Sequence, residues 1–156
     1  MQTLPQATQA RRVQAAEEHE LYDLMLAVRS ADSLILSPLR EDEYCRPLLR
    51  RVVDQVRDLL WQEQRFWLGV DEAGTFAAAA HIHLQAVGGS LARVYIHPQA
   101  RGRVEEAVIQ GALRACGSSS LSMTIQVSAT EERAREILRR YGFAETRNLH
   151  RLMIEV

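Results

Sequence analysis

The sequence predicts a single α/β domain with a mixed central sheet and helices on both faces. Three observations carry this reading. Strand-like runs separated by tight turn signals form a meander between residues 66 and 97. A helical pattern and then an alternating strand follow, the order a crossover needs to set two strands side by side in parallel. Before the meander, two stretches repeat apolar residues at helical spacing. The 156 residues suit one domain with one core, 1–156, of which residues 1–9 are polar and expected to be disordered.

In chain order, Arg11-Arg12-Val13-Gln14 reads as a short first strand. Leu21, Leu24, Met25 and Val28 give a helix over 17–29 its inner stripe. Ser37-Pro38 marks a turn. Over 41–63 a long helix is expected, with Cys45, Leu48, Leu49, Val52, Val53, Val56, Leu59 and Leu60 on one apolar stripe. Pro47 either starts its regular part or kinks its first turn. Arg46, Arg50, Arg51 and Arg57 read as the solvated face opposite that stripe, or as a basic patch for an acidic substrate.

The meander comprises Phe66-Trp67-Leu68-Gly69-Val70, a turn at Asp71-Glu72-Ala73-Gly74, a strand over 75–84, a turn at Val87-Gly88-Gly89-Ser90 and a strand over 91–97. A helix over 103–116 turns Val104, Val108, Ala112 and Leu113 inward, and Gly117 stops it. Leu121, Met123, Ile125 and Val127 alternate with polar residues in the next strand. Ser128-Ala129-Thr130-Glu131 matches a capping box for a helix whose inner stripe is Ala134, Ile137, Leu138 and Tyr141, ended by Gly142. His150, Leu152, Ile154 and Val156 alternate in a last edge strand, placed to pair across a homodimer.

Bulk properties exclude several classes. The net charge of −1 argues against a nucleic-acid partner held by bulk electrostatics. All 19 basic residues are Arg, so no Lys can act as nucleophile or base. Apolar runs are too short to span a bilayer, and the N-terminus lacks the pattern of a secretory signal, so the expected location is cytoplasmic. Cys45 and Cys116 are expected to be reduced core residues.

The most informative run is Val94-Tyr95-Ile96-His97-Pro98-Gln99-Ala100-Arg101-Gly102-Arg103-Val104. It reads as a buried strand, a turn, an Arg/Gly loop and a helix start, an arrangement that presents backbone N–H groups to a phosphate. Downstream, Arg139-Arg140-Tyr141-Gly142-Phe143 ends a helix and opens a strand. Together with the element order, these segments resemble the GNAT N-acetyltransferase superfamily over nearly the whole chain. Gln99-Ala100-Arg101-Gly102-Arg103 fits the first five positions of that family's acyl-CoA loop. The resemblance implies acetyl-CoA as co-substrate. It also implies that the backbone of Val94, Tyr95 and Ile96 holds the pantetheine arm, and that residues 101 to 106 (Arg101, Gly102, Arg103, Val104, Glu105 and Glu106) hold the pyrophosphate, with guanidinium charge from Arg101 and Arg103.

The loop is degenerate beyond that point. Val104 stands where the family has Gly or Ala, and Glu105 and Glu106 bring carboxylates to a helix start, where they stabilise the helix and repel a pyrophosphate. Where many members have an acidic Tyr, this chain has Leu138. Tyr141 lies one turn further on, as a candidate general acid or as a core residue. The candidate general base is His83 or a water. His81 and His83 share a strand face, and no third metal ligand is evident, so no metal is assigned. Two functions follow as expectations. One is an acyl-CoA-dependent N-acyltransferase, acetyl in the first instance, acting on a primary amine of a small molecule or peptide. The alternative is a non-catalytic GNAT-like domain serving as a binding or regulatory module.

Overall fold

The computed structural model describes residues 9–29, 39–117 and 122–146. Five strands form one mixed sheet in the order β1-β2-β3-β4-β5. They are β1 (Arg11–Arg12), β2 (Glu63–Glu72), β3 (Thr75–Gln85), β4 (Ser90–Ile96) and β5 (Met123–Gln126). The first four pair antiparallel, and β5 joins β4 in parallel. The helices are α1 (Glu18–Val28), α2 (Glu41–Tyr44), α3 (Leu48–Trp61), α4 (Glu105–Cys116) and α5 (Glu132–Arg140). This is the α/β architecture the residue patterns predict, including the parallel β4–β5 crossover through α4.

Strand β3 explains how four consecutive alanines make a strand. Ala78, Ala79 and Ala80 are wholly buried, because β3 is central and helices cover both of its faces. Alternation disappears in a strand buried on both sides. On one face α4 sets Val108, Ile109, Ala112 and Cys116 against Leu68, Ile82, Val94 and Ile96, and α5 adds Ala134, Ile137 and Leu138. On the other face α1 sets Leu21 and Leu24 over Phe76 and Ala79, beside Trp67. Gly69 lies under the Phe76 ring, and a Cβ there would run into the ring. Gly69→Ala is therefore expected to lose about 1–3 kcal/mol, read by urea unfolding, and part of that loss should return in a Gly69→Ala, Phe76→Leu double variant.

Several elements depart from the sequence patterns. The helix over 41–63 is broken: α2 ends at Cys45, and Pro47 caps the N-terminus of α3 with φ −58°. Cys45 therefore caps a helix instead of lying within one, and neither cysteine forms a disulfide. More consequentially, the apolar stripe of α3 faces outward, while Asp54 and Arg51 point toward α1 and β2. The Ser128 box does not form. The helix begins one turn later, with Glu131 at its N-cap and no side-chain cap bond. The Ser128 hydroxyl bonds Thr130 instead. The reason is that the Glu131 side chain is buried and engaged elsewhere, with Arg101.

At the other end of α5, Gly142 takes φ +89° and the chain closes with Gly142 N–H to Arg139 O and Phe143 N–H to Leu138 O, both 3.0 Å, a Schellman pair. Tyr141, expected inside, is 45% exposed at this end. The turn at 37–38, the strand over 150–156 with its dimer edge, and residues 1–8 lie outside the described residues. Among the described residues, no helix is long and apolar enough to cross a membrane.

Candidate functional site

The ladder between β4 and β5 has four rungs, from Ser90–Met123 to Arg93–Gln126. Arg93 Nε donates to Gln126 Oε1 at 3.0 Å across the last of them. Val94, Tyr95 and Ile96 lie beyond it, while on their other side they stay paired with Ala80, Ala79 and Ala78 of β3. Strands β4 and β5 thus part at Val94, where the GNAT resemblance puts a pantetheine arm.

The loop that follows is built as the sequence suggests and then filled from within. Pro98–Ala100 form a 3-10 turn, with Gln99 N–H donating to His97 Nδ1 at 3.1 Å. His97 thus holds the turn. Gly102 takes φ +87°, a conformation L side chains rarely adopt. Ala100 and Val104 are buried in the core and anchor the loop at both ends. Val104 therefore sinks beneath the loop and does not stand over it.

Glu105 is the residue that closes the loop. Its side chain is 2% exposed and turns back over the loop. Oε1 accepts from Gly102 N–H at 2.5 Å and Oε2 from Val104 N–H at 3.2 Å. A carboxylate thus occupies the nest of amides, next to the positive end of α4, where an anion is best held. Arg103 N–H is also committed, to Ala100 O at 3.2 Å.

The charges expected to meet a phosphate are similarly engaged. Arg101 Nε donates to the buried Glu131 carboxylate at 2.9 Å. Arg103 forks onto Glu72 at 2.6–3.2 Å and reaches Gln99 O at 2.9 Å. This pairing holds the Glu72 carboxyl below its usual range and raises the Arg103 guanidinium. Glu106 lies 3.7 Å from Arg140. The loop is charge-balanced and hydrogen-bonded within the chain. A CoA pyrophosphate entering this loop would meet the Glu105 carboxylate on the Gly102 and Val104 amides, Arg103 N–H on a carbonyl, and both guanidiniums on carboxylates.

The two acid–base candidates are not brought together. Tyr141 Oη accepts from Gln110 Nε2 at 3.1 Å, at the C-terminal end of α5. That end is roughly 14 Å along the helix from its start after β5. His83 Nε2 lies 3.1 Å from Glu63 Oε2, which also accepts from Arg65 at 2.9 Å. Both partners hold the Glu63 carboxyl low, His83 most. His83 pairs with Leu91 of β4, and Tyr95 is four residues further on, so the imidazole sits roughly 13 Å along the strand from the opened backbone.

The other face of the sheet carries a row that sequence reasoning did not assemble. Trp67 stacks near His81 (centroids 4.7 Å), Tyr95 (5.8 Å) and Tyr44 (6.0 Å), and Tyr44 reaches Tyr22 (5.9 Å). The alternation of β2, β3 and β4 puts Trp67, His81 and Tyr95 on one face, a signal present in the strand patterns. Tyr22 and Tyr44 join from α1 and α2, which only packing reveals. Burial pushes the His81 imidazole down to about 4, helped by the nearby basic groups of Arg93, His83, Arg65 and Arg46. Burial likewise raises the Tyr44 and Tyr95 phenols.

Beside this row, between the polar face of α3 and β2, lies a cavity of about 610 Å³, lined in part by Glu18, Tyr44, Arg51, Asp54, Asp58 and Trp67. Arg46 meets Asp54 at 3.1 Å and Arg51 meets Glu18 at 2.9 Å, so these arginines are half-buried partners in a polar wall and not a solvated row. Nearby, His19, Glu41 and Cys45 bring donor atoms within 4.8 Å of one another. His19 and Glu41 are 73% and 56% exposed, which makes this a solvated imidazole–carboxylate contact beside a thiol and not an enclosed metal cage.

No protein-family model and no curated protein matches the chain. Solved structures do. An N-acetyltransferase from Staphylococcus aureus is 11% identical, with 88% of this chain and 84% of that one covered and a TM-score of 0.63. An aminoglycoside N-acetyltransferase in complex with CoA is 11% identical, with 99% and 100% covered and a TM-score of 0.58. A transcriptional regulator from Bacillus halodurans is 13% identical, with 94% and 99% covered and a TM-score of 0.54. The fold is that of the GNAT N-acetyltransferases, over nearly the whole chain.

Proposed function

We propose that this chain is a GNAT-fold binding or regulatory module that does not transfer acyl groups. One observation carries the reading: the buried Glu105 carboxylate bonded to the amides of Gly102 and Val104. An anionic ligand would have to displace a tethered anion that already satisfies the same donors. The commitment of Arg101 and Arg103 to Glu131 and Glu72 supports it. So does the distance of Tyr141 and His83 from the parted strands. The binding surface then belongs to the other face, where the aromatic row and the polar cavity adjoin. The cavity is of the size that holds a small molecule.

A second reading keeps the acyl-CoA-dependent N-acyltransferase acting on a primary amine. It is favoured by the parting of β4 from β5 at Val94 and by likeness to a structure that holds CoA. Calorimetric titration of the folded chain with acetyl-CoA and with CoA separates the two. The module reading expects no binding up to about millimolar ligand. Micromolar binding, with acetyl transfer to a primary amine in a substrate screen, would replace it with the acyltransferase.

A further inference from the structure

Helix α3 is amphipathic in the opposite sense to a helix docked on a core. Arg51, Asp54 and Asp58 line the cavity against β2. Leu49, Val53, Val56 and Leu60, with Leu48, Val52 and Leu59 beside them, are 49% to 81% exposed. The first four are spaced four, three and four residues apart, the seam by which two helices interlock. Seven aliphatic side chains at this exposure on one helix face make a contiguous apolar patch comparable with the roughly 800 Å² one partner gives to a standard interface.

The surroundings of the stripe select the occupant. It carries no charge, because every charged residue of α3 lies off it. The arginines on its rim are already neutralised: Arg50 lies 3.7 Å from Asp42, and Arg57 lies 3.3 Å from Asp54 and 3.5 Å from Asp58. Among the described residues, the rim arginines are paired within the chain, which favours a partner with a neutral rim over an acidic or a basic one. A second copy brings a stripe of the same length, spacing and neutral rim, which is what an isologous contact requires. We propose that two copies of this chain pair through α3, with the two-fold axis passing near Val53 and Val56. This goes beyond the proposed function and holds whether or not acyl-CoA binds.

Sedimentation of the full chain over about 1–100 μM tests it. The expected mass is twice 17.7 kDa. A Val53→Arg, Val56→Arg variant should sediment as a monomer, with the dimer weakened at least about 100-fold and the far-ultraviolet circular dichroism unchanged. Both side chains lie outside the core, so folding is not at stake in the monomer. Independently, Val56→Cys in the otherwise unaltered chain should cross-link two copies through the introduced thiol on mild oxidation. A wild-type monomer throughout that range, with or without the stripe covered by the chain's own segments, would overturn the proposal. So would a dimer that survives both arginines, or one that leaves the introduced thiol uncross-linked.

Discussion

Glu105→Ala is expected to destabilise the domain by about 2–4 kcal/mol and, in the same stroke, to create an anion site. The substitution removes the acceptor for Gly102 N–H and Val104 N–H. It leaves those donors around a vacated pocket at the start of α4, the place where a helix favours negative charge. Inorganic phosphate or CoA should refill it. Thermal unfolding of the variant should therefore rise with added phosphate or CoA, by about 2.7 kcal/mol when the ligand reaches a hundred times its dissociation constant. The wild-type chain should not respond, because its own carboxylate is already in place. Glu105→Gln should fall between the two, keeping one acceptor and losing the charge. If Glu105→Ala is as stable as wild type and indifferent to phosphate, the carboxylate is not what closes the loop, and the module reading loses its support.

Acid should weaken the fold through His81. Burial pushes this imidazole down to about 4 from an ordinary value of 6.5, with Arg93, His83, Arg65 and Arg46 adding to the effect. Between those values the unfolded chain binds a proton that the folded chain refuses. Stability contributed by neutral His81 is thus complete above about pH 6.5 and drains away as the pH falls toward 4, by up to about 3 kcal/mol. His81→Phe keeps a ring beside Trp67, whose centroid lies 4.7 Å from that of the imidazole, and removes the titration. Urea unfolding at pH 7, 6, 5 and 4.5 should show wild type losing ground to His81→Phe across this range. Parallel curves would place the acid sensitivity elsewhere. His81 is also neutral at pH 7 in consequence, so it meets Trp67 on the aromatic face as an uncharged ring and not as a cation.

The legible part of this protein was the part governed by local periodicity. The meander, the parallel crossover through α4, and the Schellman close at Gly142 follow from alternation, helical spacing and a glycine able to take positive φ. The strand, turn and Arg/Gly loop were legible too, while the left-handed Gly102 came only with the structure. Its occupant was only half legible. Two carboxylates at the start of α4 announced a conflict with a bound phosphate, but which of them would turn back depends on side-chain direction. Glu105 folds inward onto Gly102, whereas Glu106 projects outward toward Arg140. The Ser128 box failed for a related reason. A local capping bond competed with the long-range pairing of Glu131 and Arg101, thirty residues apart in the chain, and lost.

What the sequence determined by itself was the set of elements, their order and the chemistry each one carries, because those depend on neighbours within a few residues. The tertiary structure alone decided which partners each side chain found. It turned the apolar stripe of α3 to the outside, Arg51 toward Glu18, and Asp54 toward Arg46. It left Tyr141 beside Gln110, kept His83 with Glu63, and gathered Trp67, His81, Tyr95 and Tyr44 from four separate elements. Amphipathicity states that a helix has two faces; only the surface it packs against, here a polar cavity wall, states which of them turns inward.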